Sequence, residues 1–531
     1  MSDTGTWPAR FFRRTRGRRM WAVLALVALA VSIGPPGIPP TAATDRFGSA
    51  SAATKGGCLR QPWRGHNHDL LNTRVAACTG INSRNVGNLK VKWRYPLSGT
   101  PTFAGLMASN PIVVNRTIYF SDLNSNVYAL DSKTGTERWK RTFNDPNIGP
   151  NGVAYGQGLI IGTTFSGVFA LEARTGATVW TRQLIEPGTG GVDVAPQVYG
   201  DTVVVSTAPS TFTEYVPGAM GIVYALNVRT GAVRWEFNTV KDGDLWGHPE
   251  INSGGGIWYP PAIDDEGRMY LSVANPAPYP GTAEYPNGSS RPGPNLYTNS
   301  LVTLDARTGK LLWYRQVLPH DIRDYDLEAS PVVTKVRLNG KLTRVVITAG
   351  KMGWVYAFRA ADGHPLWSLP VGKHLNDTGP LPHELVEVYP GTFGGVLTPM
   401  ALSHGTLFVP WVDLAAHLRG DVPLQQWPDL PSGRGGLLAV DVATGRVKWT
   451  QPLPQMAMGA ATVANDVVFT STYDGKMYAF DVRTGKQLWT TTEAAGINSF
   501  PAIDGNTIIV APAAPGLMEN PQAEVVAYSL S

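Results

Sequence analysis

The chain has no Cys-X-X-Cys-His for covalent haem, no Gly-X-Gly-X-X-Gly leading into a helix and no phosphate-binding loop. A fused haem carrier and a nucleotide-binding crossover are therefore excluded. No Gly-X-Ser-X-Gly elbow is present, which removes a common hydrolase signature. His248, His320 and His383 are scattered without metal-ligand spacing and read as surface or loop residues. Charge is scarce, at 16% of residues, and its small excess is local. Arg10, Arg13, Arg14, Arg16, Arg18 and Arg19 against Asp3 account for the whole formal charge of +5. No net positive charge remains beyond the N-terminus, so nucleic-acid binding, which needs a concentrated positive face, is not expected.

Long apolar runs are also missing. Residues 21–34 follow the arginines but are too short to span a bilayer comfortably, and Thr41-Ala42-Ala43 comes after them. Residues 1–43 read as a cleaved signal peptide, with Arg18-Arg19-Met20-Trp21 faintly resembling a twin-arginine signal; an uncleaved anchor is the alternative. The expected location is extracellular, cell-envelope or periplasmic, with no stable membrane span after cleavage. Cysteine is nearly absent as well. Cys58 and Cys78 are the two in the chain, an even pair expected to form a disulfide that pins residues 44–84 in an oxidising compartment.

Glycine (58), proline (42) and tryptophan (16) are what the chain has in quantity, the mixture of many short strands and tight turns. Seven segments share one pattern: an alternating apolar strand, Asp or a substitute, two variable residues, Thr-Gly or Asp-Gly, then Trp four residues after the Gly. They end at Trp139, Trp180, Trp235, Trp313, Trp367, Trp449 and Trp489. The alternation fits an antiparallel strand, the Gly a positive-φ turn, and the Trp a large apolar surface whose N–H needs an acceptor. An eighth unit is split: residues 89–93 carry a Trp strand without its partner, and residues 525–530 carry the partner without its Trp. The expectation is an all-β, eight-bladed propeller over residues 85–531, its last blade closed by N- and C-terminal strands. Trp235 to Trp313 and Trp367 to Trp449 are the long intervals, so the functional insertions are expected there.

Residues 58–531 resemble the pyrroloquinoline quinone (PQQ) dependent alcohol dehydrogenases. The resemblance is carried by Gly65-His66-Asn67-His68-Asp69, by Gly254-Gly255-Gly256-Ile257-Trp258, by Ala274-Asn275-Pro276-Ala277-Pro278, and by Pro319-His320-Asp321-Ile322-Arg323-Asp324-Tyr325-Asp326, in the family's order. It implies PQQ and a calcium or lanthanide ion as cofactors. Trp258 would be the floor under the quinone, Lys351 the cation on its oxygens and Asp324 the general base. Asn275, Asp324, Asp326 and Glu214 would be the metal ligands, with Asp326 similar to the extra carboxylate of lanthanide-using methanol dehydrogenases. If the segment is extended, Asp324 and Asp326 project the same way. Departures fall on the side that grips the cofactor: the family's adjacent cysteines are absent, Asn151 stands where relatives place an arginine for the quinone carboxylates, Asp193 where a Thr is usual, and Met458 where some have Trp.

Two functions follow. One is an exported dehydrogenase that oxidises an alcohol or sugar and passes electrons to a separate cytochrome or quinone. The other is a non-catalytic propeller similar to outer-membrane assembly factors, which use the same repeat for protein docking.

Overall fold

The structure is a computed structural model that describes residues 61–530 except 100, 101, 103, 242 and 425. The expected signal peptide and Cys58 lie outside the described residues; Cys78 is not a free thiol. Eight sheets follow one another along the chain, seven of four antiparallel strands and one in which Val75–Ala76 adds a fifth strand parallel to Thr462–Ala464. Each is a meander from an inner strand to an outer Trp-bearing one, as in blade 1 with Ile112–Val114, Thr117–Ser121, Val127–Asp131 and Glu137–Arg141. The expected eight-bladed propeller is what the chain forms. Blade 8 is the split unit: Lys90–Pro96 pairs antiparallel with Glu524–Ser529, which continues through Thr507–Val510 to Ala502–Asp504.

The Trp repeat joins blades by one arrangement used seven times. The indole N–H of Trp93 donates to the Ser132 carbonyl of the next blade, and Trp139 does the same to Ala173, Trp180 to Val228, Trp235 to Ala306, Trp313 to Ala360, Trp367 to Val442 and Trp449 to Val482, at 2.9–3.3 Å. The ring face meanwhile lies on the next blade's turn glycine. A Cβ at Gly309, where φ is +71°, would sit 2.6 Å from the Trp235 ring, so both conformation and contact demand glycine. Behind each indole the strand bulges by one residue, and its cross-strand partner is Ala in seven blades and Thr303 in blade 4. The small partner leaves room for the ring. Only Trp93 and Trp235 become fully buried, because the outer strand faces solvent on its other side.

Trp489 makes no such bond among the described residues. The next blade is the split one, whose two outer strands come from opposite ends of the chain, so no turn carbonyl stands where the indole points. Its ring instead meets Tyr528 edge-on at 5.4 Å.

Residues 63–76 run past the inner strands and plug the ring. Their carbonyls accept from Val113, Tyr155, Ile263, Val333, Leu402 and Val463, one backbone N–H from each of six blades. Arg74, fully buried, adds bonds to the Ala461, Pro501 and His66 carbonyls and to Thr462 Oγ1. Without Arg74 the buried Ala461 and His66 carbonyls would lose these partners, whereas the Pro501 carbonyl would keep the Thr462 hydroxyl.

Trp235→Phe keeps most of the packing and removes the indole hydrogen bond to the Ala306 carbonyl, which retains the Tyr199 hydroxyl as a donor, so urea unfolding should show a loss of about 0.5–1.5 kcal/mol. Trp489→Phe has no such bond to lose and should change stability by less than about 0.5 kcal/mol.

Candidate active site

In every blade the residue four positions before the inner strand enters the ring at the same register, giving Ala108, Gly149, Asp193, Trp258, Glu328, Leu397, Met458 and Asn498. Trp258 is set there by the preceding glycines. Gly254 pairs with Pro276, and a Cβ at Gly254 (φ +133°) would lie 2.6 Å from the Pro276 Cα. The close approach lets the Gly255 N–H reach the Asn275 carbonyl at 2.9 Å and so ties the Trp258 segment to Asn275. The Trp258 ring packs with Tyr259, Ala460 and Phe500, while its indole N–H is buried without a hydrogen-bond partner.

Asn275 leads to the acidic loop. Its backbone N–H donates to Asp326 Oδ1 at 2.8 Å. Lys351 Nζ lies 2.8 Å from Asp324 Oδ2 and 2.7 Å from Asp326 Oδ2, all three side chains being buried. Gly350 makes this possible, since a Cβ there would meet the Asp326 carbonyl oxygen at 2.0 Å. The loop is not extended as the sequence reading supposed: Asp324 has φ +65°, a left-handed conformation strained for a non-glycine residue. Its neighbours hold it there. Asp321 accepts from the Arg323 N–H at 2.8 Å and the Tyr325 N–H at 2.6 Å, the Tyr325 hydroxyl donates to the Pro390 carbonyl, and the buried Arg291 donates to the carbonyls of Pro278 and Asp321.

Burial and charge set the protonation of the group. Burial pushes the Asp324 carboxyl up to about 7, with Asp326 adding to the rise and Lys351 opposing it. Glu328 is raised well above the ordinary range, again first by burial. Burial opposes the Lys351 charge, but Asp324, Asp326 and Glu328 together hold its ammonium protonated. Three carboxyl groups thus face one ammonium. Glu328 escaped the sequence reading, although counting back four residues from the fifth inner strand would have found it. Phe393 and Trp427 escaped it too, because they come from separate loops. The Phe393 ring is 5.9 Å from Lys351 Nζ and 5.2 Å from the Trp427 ring, which is 41% exposed. An aromatic path therefore leads from the ammonium to solvent.

Two expected residues do not join this group. Glu214 is exposed and accepts from the Phe212 and Thr213 N–H groups, because its tight loop needs a carboxylate to satisfy its own backbone. Asn151 donates instead to the Asp122 carbonyl at 3.0 Å, and its Oδ1 is buried without a partner. Asp193 is buried without a counter-charge, and burial lifts its pKa to about 7, the Ile148 N–H opposing the rise.

The donor chemistry can be compared with the implied groups. Among the described residues no three His, Cys, Asp or Glu side chains surround a point as metal ligands, since the Lys351 ammonium occupies the space between the two aspartates. The oxygens themselves are hard carboxylate donors in excess over positive charge, which suits a hard cation. A flat quinone fits the open indole N–H of Trp258 and the Lys351 ammonium. On the opposite side, Asn151 and Asp193 supply no cation for its carboxylates.

The description "Glucose/ethanol/alcohol dehydrogenase, beta-propeller domain" matches residues 63–384, and "Outer membrane protein assembly factor BamB" matches residues 351–531. The chain is 26% identical to the quinohemoprotein alcohol dehydrogenase of Comamonas testosteroni, covering 93% of this chain and 78% of that protein. It is 25% identical to the lanthanide-dependent methanol dehydrogenase of Methylorubrum extorquens, covering 81% of this chain and 82% of that one. The crystal structure of the Comamonas testosteroni quinohemoprotein alcohol dehydrogenase superposes with a TM-score of 0.75 at 23% identity, over 88% of this chain and 80% of that one.

Lys351→Met should destabilise the protein by about 3–5 kcal/mol in urea, because it leaves buried carboxyls without their counter-charge. Adding Asp324→Asn should restore part of that loss. The Asp193 shift gives a second test. Its carboxyl binds a proton more tightly folded, near 7, than unfolded, near 3.8, so stability falls as pH rises from about 4 to about 7 and is then flat. Asp193→Asn should leave the unfolding free energy in urea unchanged at pH 4 and raise it at pH 8, by up to about 4 kcal/mol.

Proposed function

Because the chain belongs to the glucose/ethanol/alcohol dehydrogenase β-propeller family, we propose that it is a PQQ- and metal-dependent dehydrogenase that oxidises an alcohol or sugar. The observation that carries the reading is the buried Asp324–Lys351–Asp326 group, tied through Asn275 to the Trp258 segment. When bound, the quinone accepts the hydride and a calcium or lanthanide ion polarises its carbonyl. Trp258 would support the quinone ring, and Lys351 would hydrogen-bond its oxygens. Asn275, Asp324 and Asp326 would hold the ion.

Asp324 is the proton acceptor in this reading. A pKa near 7 makes it a base strong enough to take an alcohol proton yet ionised in part at neutral pH. The Lys351 ammonium fixes its Oδ2, and the left-handed backbone at Asp324 aims the side chain. Burial of the whole group excludes water, which strengthens each of these charge interactions.

The location and partners belong to the same proposal. The arginine-rich leader supports export, a Cys58–Cys78 disulfide would pin the N-terminal segment, and a separate cytochrome or quinone would take the electrons. No helix among the described residues is long and apolar enough to cross a membrane. The match of residues 351–531 to the assembly factor favours a second reading, a docking propeller without catalysis. That reading gives no reason for a buried, strained Asp324 beside Lys351.

Purified protein loaded with PQQ and calcium or lanthanum should reduce a dye when given alcohols. Asp324→Asn should lower kcat/KM by about 10²–10⁴-fold while PQQ affinity stays within a few fold. Absence of both turnover and micromolar PQQ binding would overturn the enzyme reading in favour of the scaffold.

A further inference from the structure

Asp193 holds in blade 3 the register position that Trp258 holds in blade 4, four residues before Gln197 and Ala262 respectively. The backbone places the two segments side by side. Gly191 pairs with Ala208, and Ala208 packs against Gly256, with 3.3 Å from its Cα to where a Gly256 Cβ would be. Asp193 therefore stands on the segment that neighbours the one carrying the indole.

Its surroundings contain no counter-charge. The carboxyl is 1% exposed, and the donor that faces it is one backbone N–H, that of Ile148. The elements around it contribute Asn147, Ile148, Gly149, Phe165, Gly191 and Ala208, none of them titratable, and no ionised side chain acts on Asp193. Asp145, further along the same loop, has its Oδ2 held by the Phe165 N–H. Asn151 Oδ1 and Ser109 Oγ are buried and unpartnered, and Gly152 brings their segments together, its Cβ position lying 3.3 Å from Ser109 and 3.1 Å from Ala195.

A carboxyl group buried without a cation, with one backbone N–H beside it, favours the neutral acid, and a neutral acid has a proton to donate. An ionised Asp193 would instead repel an anion across a short, poorly screened distance. We propose that Asp193 binds the cofactor as a protonated acid, donating a hydrogen bond to a carboxylate of PQQ where no arginine is available at position 151. The inference rests on the quinone reading above and adds to it how an acidic wall accepts a tricarboxylate. Such an O–H···O⁻ bond is short and strong. Binding must then take up a proton whenever Asp193 is ionised in the free protein.

The test is PQQ affinity as a function of pH, read from quenching of tryptophan emission in the full chain at fixed calcium. With a free-protein pKa near 7, affinity should fall about thirtyfold from pH 6 to pH 8.5, close to tenfold per unit above 7. Asp193→Asn should flatten that profile and bind more tightly than the parent at pH 8.5, because its amide still donates. Asp193→Thr should flatten it as well, which keeps the test valid should the Asn variant fold poorly. A flat profile in the parent, or the same slope in both variants, overturns the inference while leaving the quinone reading intact. No PQQ binding by any of the three proteins at any pH overturns both.

Discussion

The indole resting on a glycine turn and bonded to the carbonyl beside it is the contact on which this ring depends. At seven of the eight junctions a blade supplies the indole for the blade after it, which supplies the turn, so the docking has one direction around the ring. Apolar packing supplies most of the attraction, whereas the hydrogen bond fixes the rotation of one sheet against the next. That fixed rotation lets Asn275 of blade 4 bond Asp326, which in turn meets Lys351 of blade 5.

The same regularity explains what the sequence revealed. Strand alternation, the turn glycine and the Trp recur because every blade solves the same packing problem, and the split eighth blade could be read from the two half-patterns at residues 89–93 and 525–530. Trp258, Asn275, Asp324, Asp326 and Lys351 were legible through their order. The rest was not, for identifiable reasons. Glu214 was assigned by spacing alone, but a carboxylate two residues from unpaired turn N–H groups turns to them. The Asp324 backbone could not be read from a string that fits an extended strand equally well; its left-handed φ comes from Asp321 gathering the neighbouring N–H groups. Phe393 and Trp427 reach Lys351 and one another from loops whose paths no local pattern specifies.

Charge is distributed unevenly around the channel. On one wall three carboxyl groups share the Lys351 ammonium, so ionisation there is mutual: each proton lost strengthens the hold on the lysine and weakens the next acid. On the other wall Asp193 is alone, and its protonation follows from burial with no ionised neighbour to adjust it. Two buried aspartates are thus raised to about 7 by the same cause, burial, one amid ionised neighbours and the other without any.

The plug formed by residues 63–76 has a consequence for how the chain is made. This segment leaves the ribosome before any blade, yet its six carbonyl partners are spread from Val113 to Val463. It must wait, solvated and unpaired, through the synthesis of some four hundred residues, and the strand after it waits longer still for Glu524–Ser529. Contacts of such sequence separation form slowly. The first part of the protein to be born is in this sense the last to settle, and the interval in between is when the cell's holding chaperones have most to do.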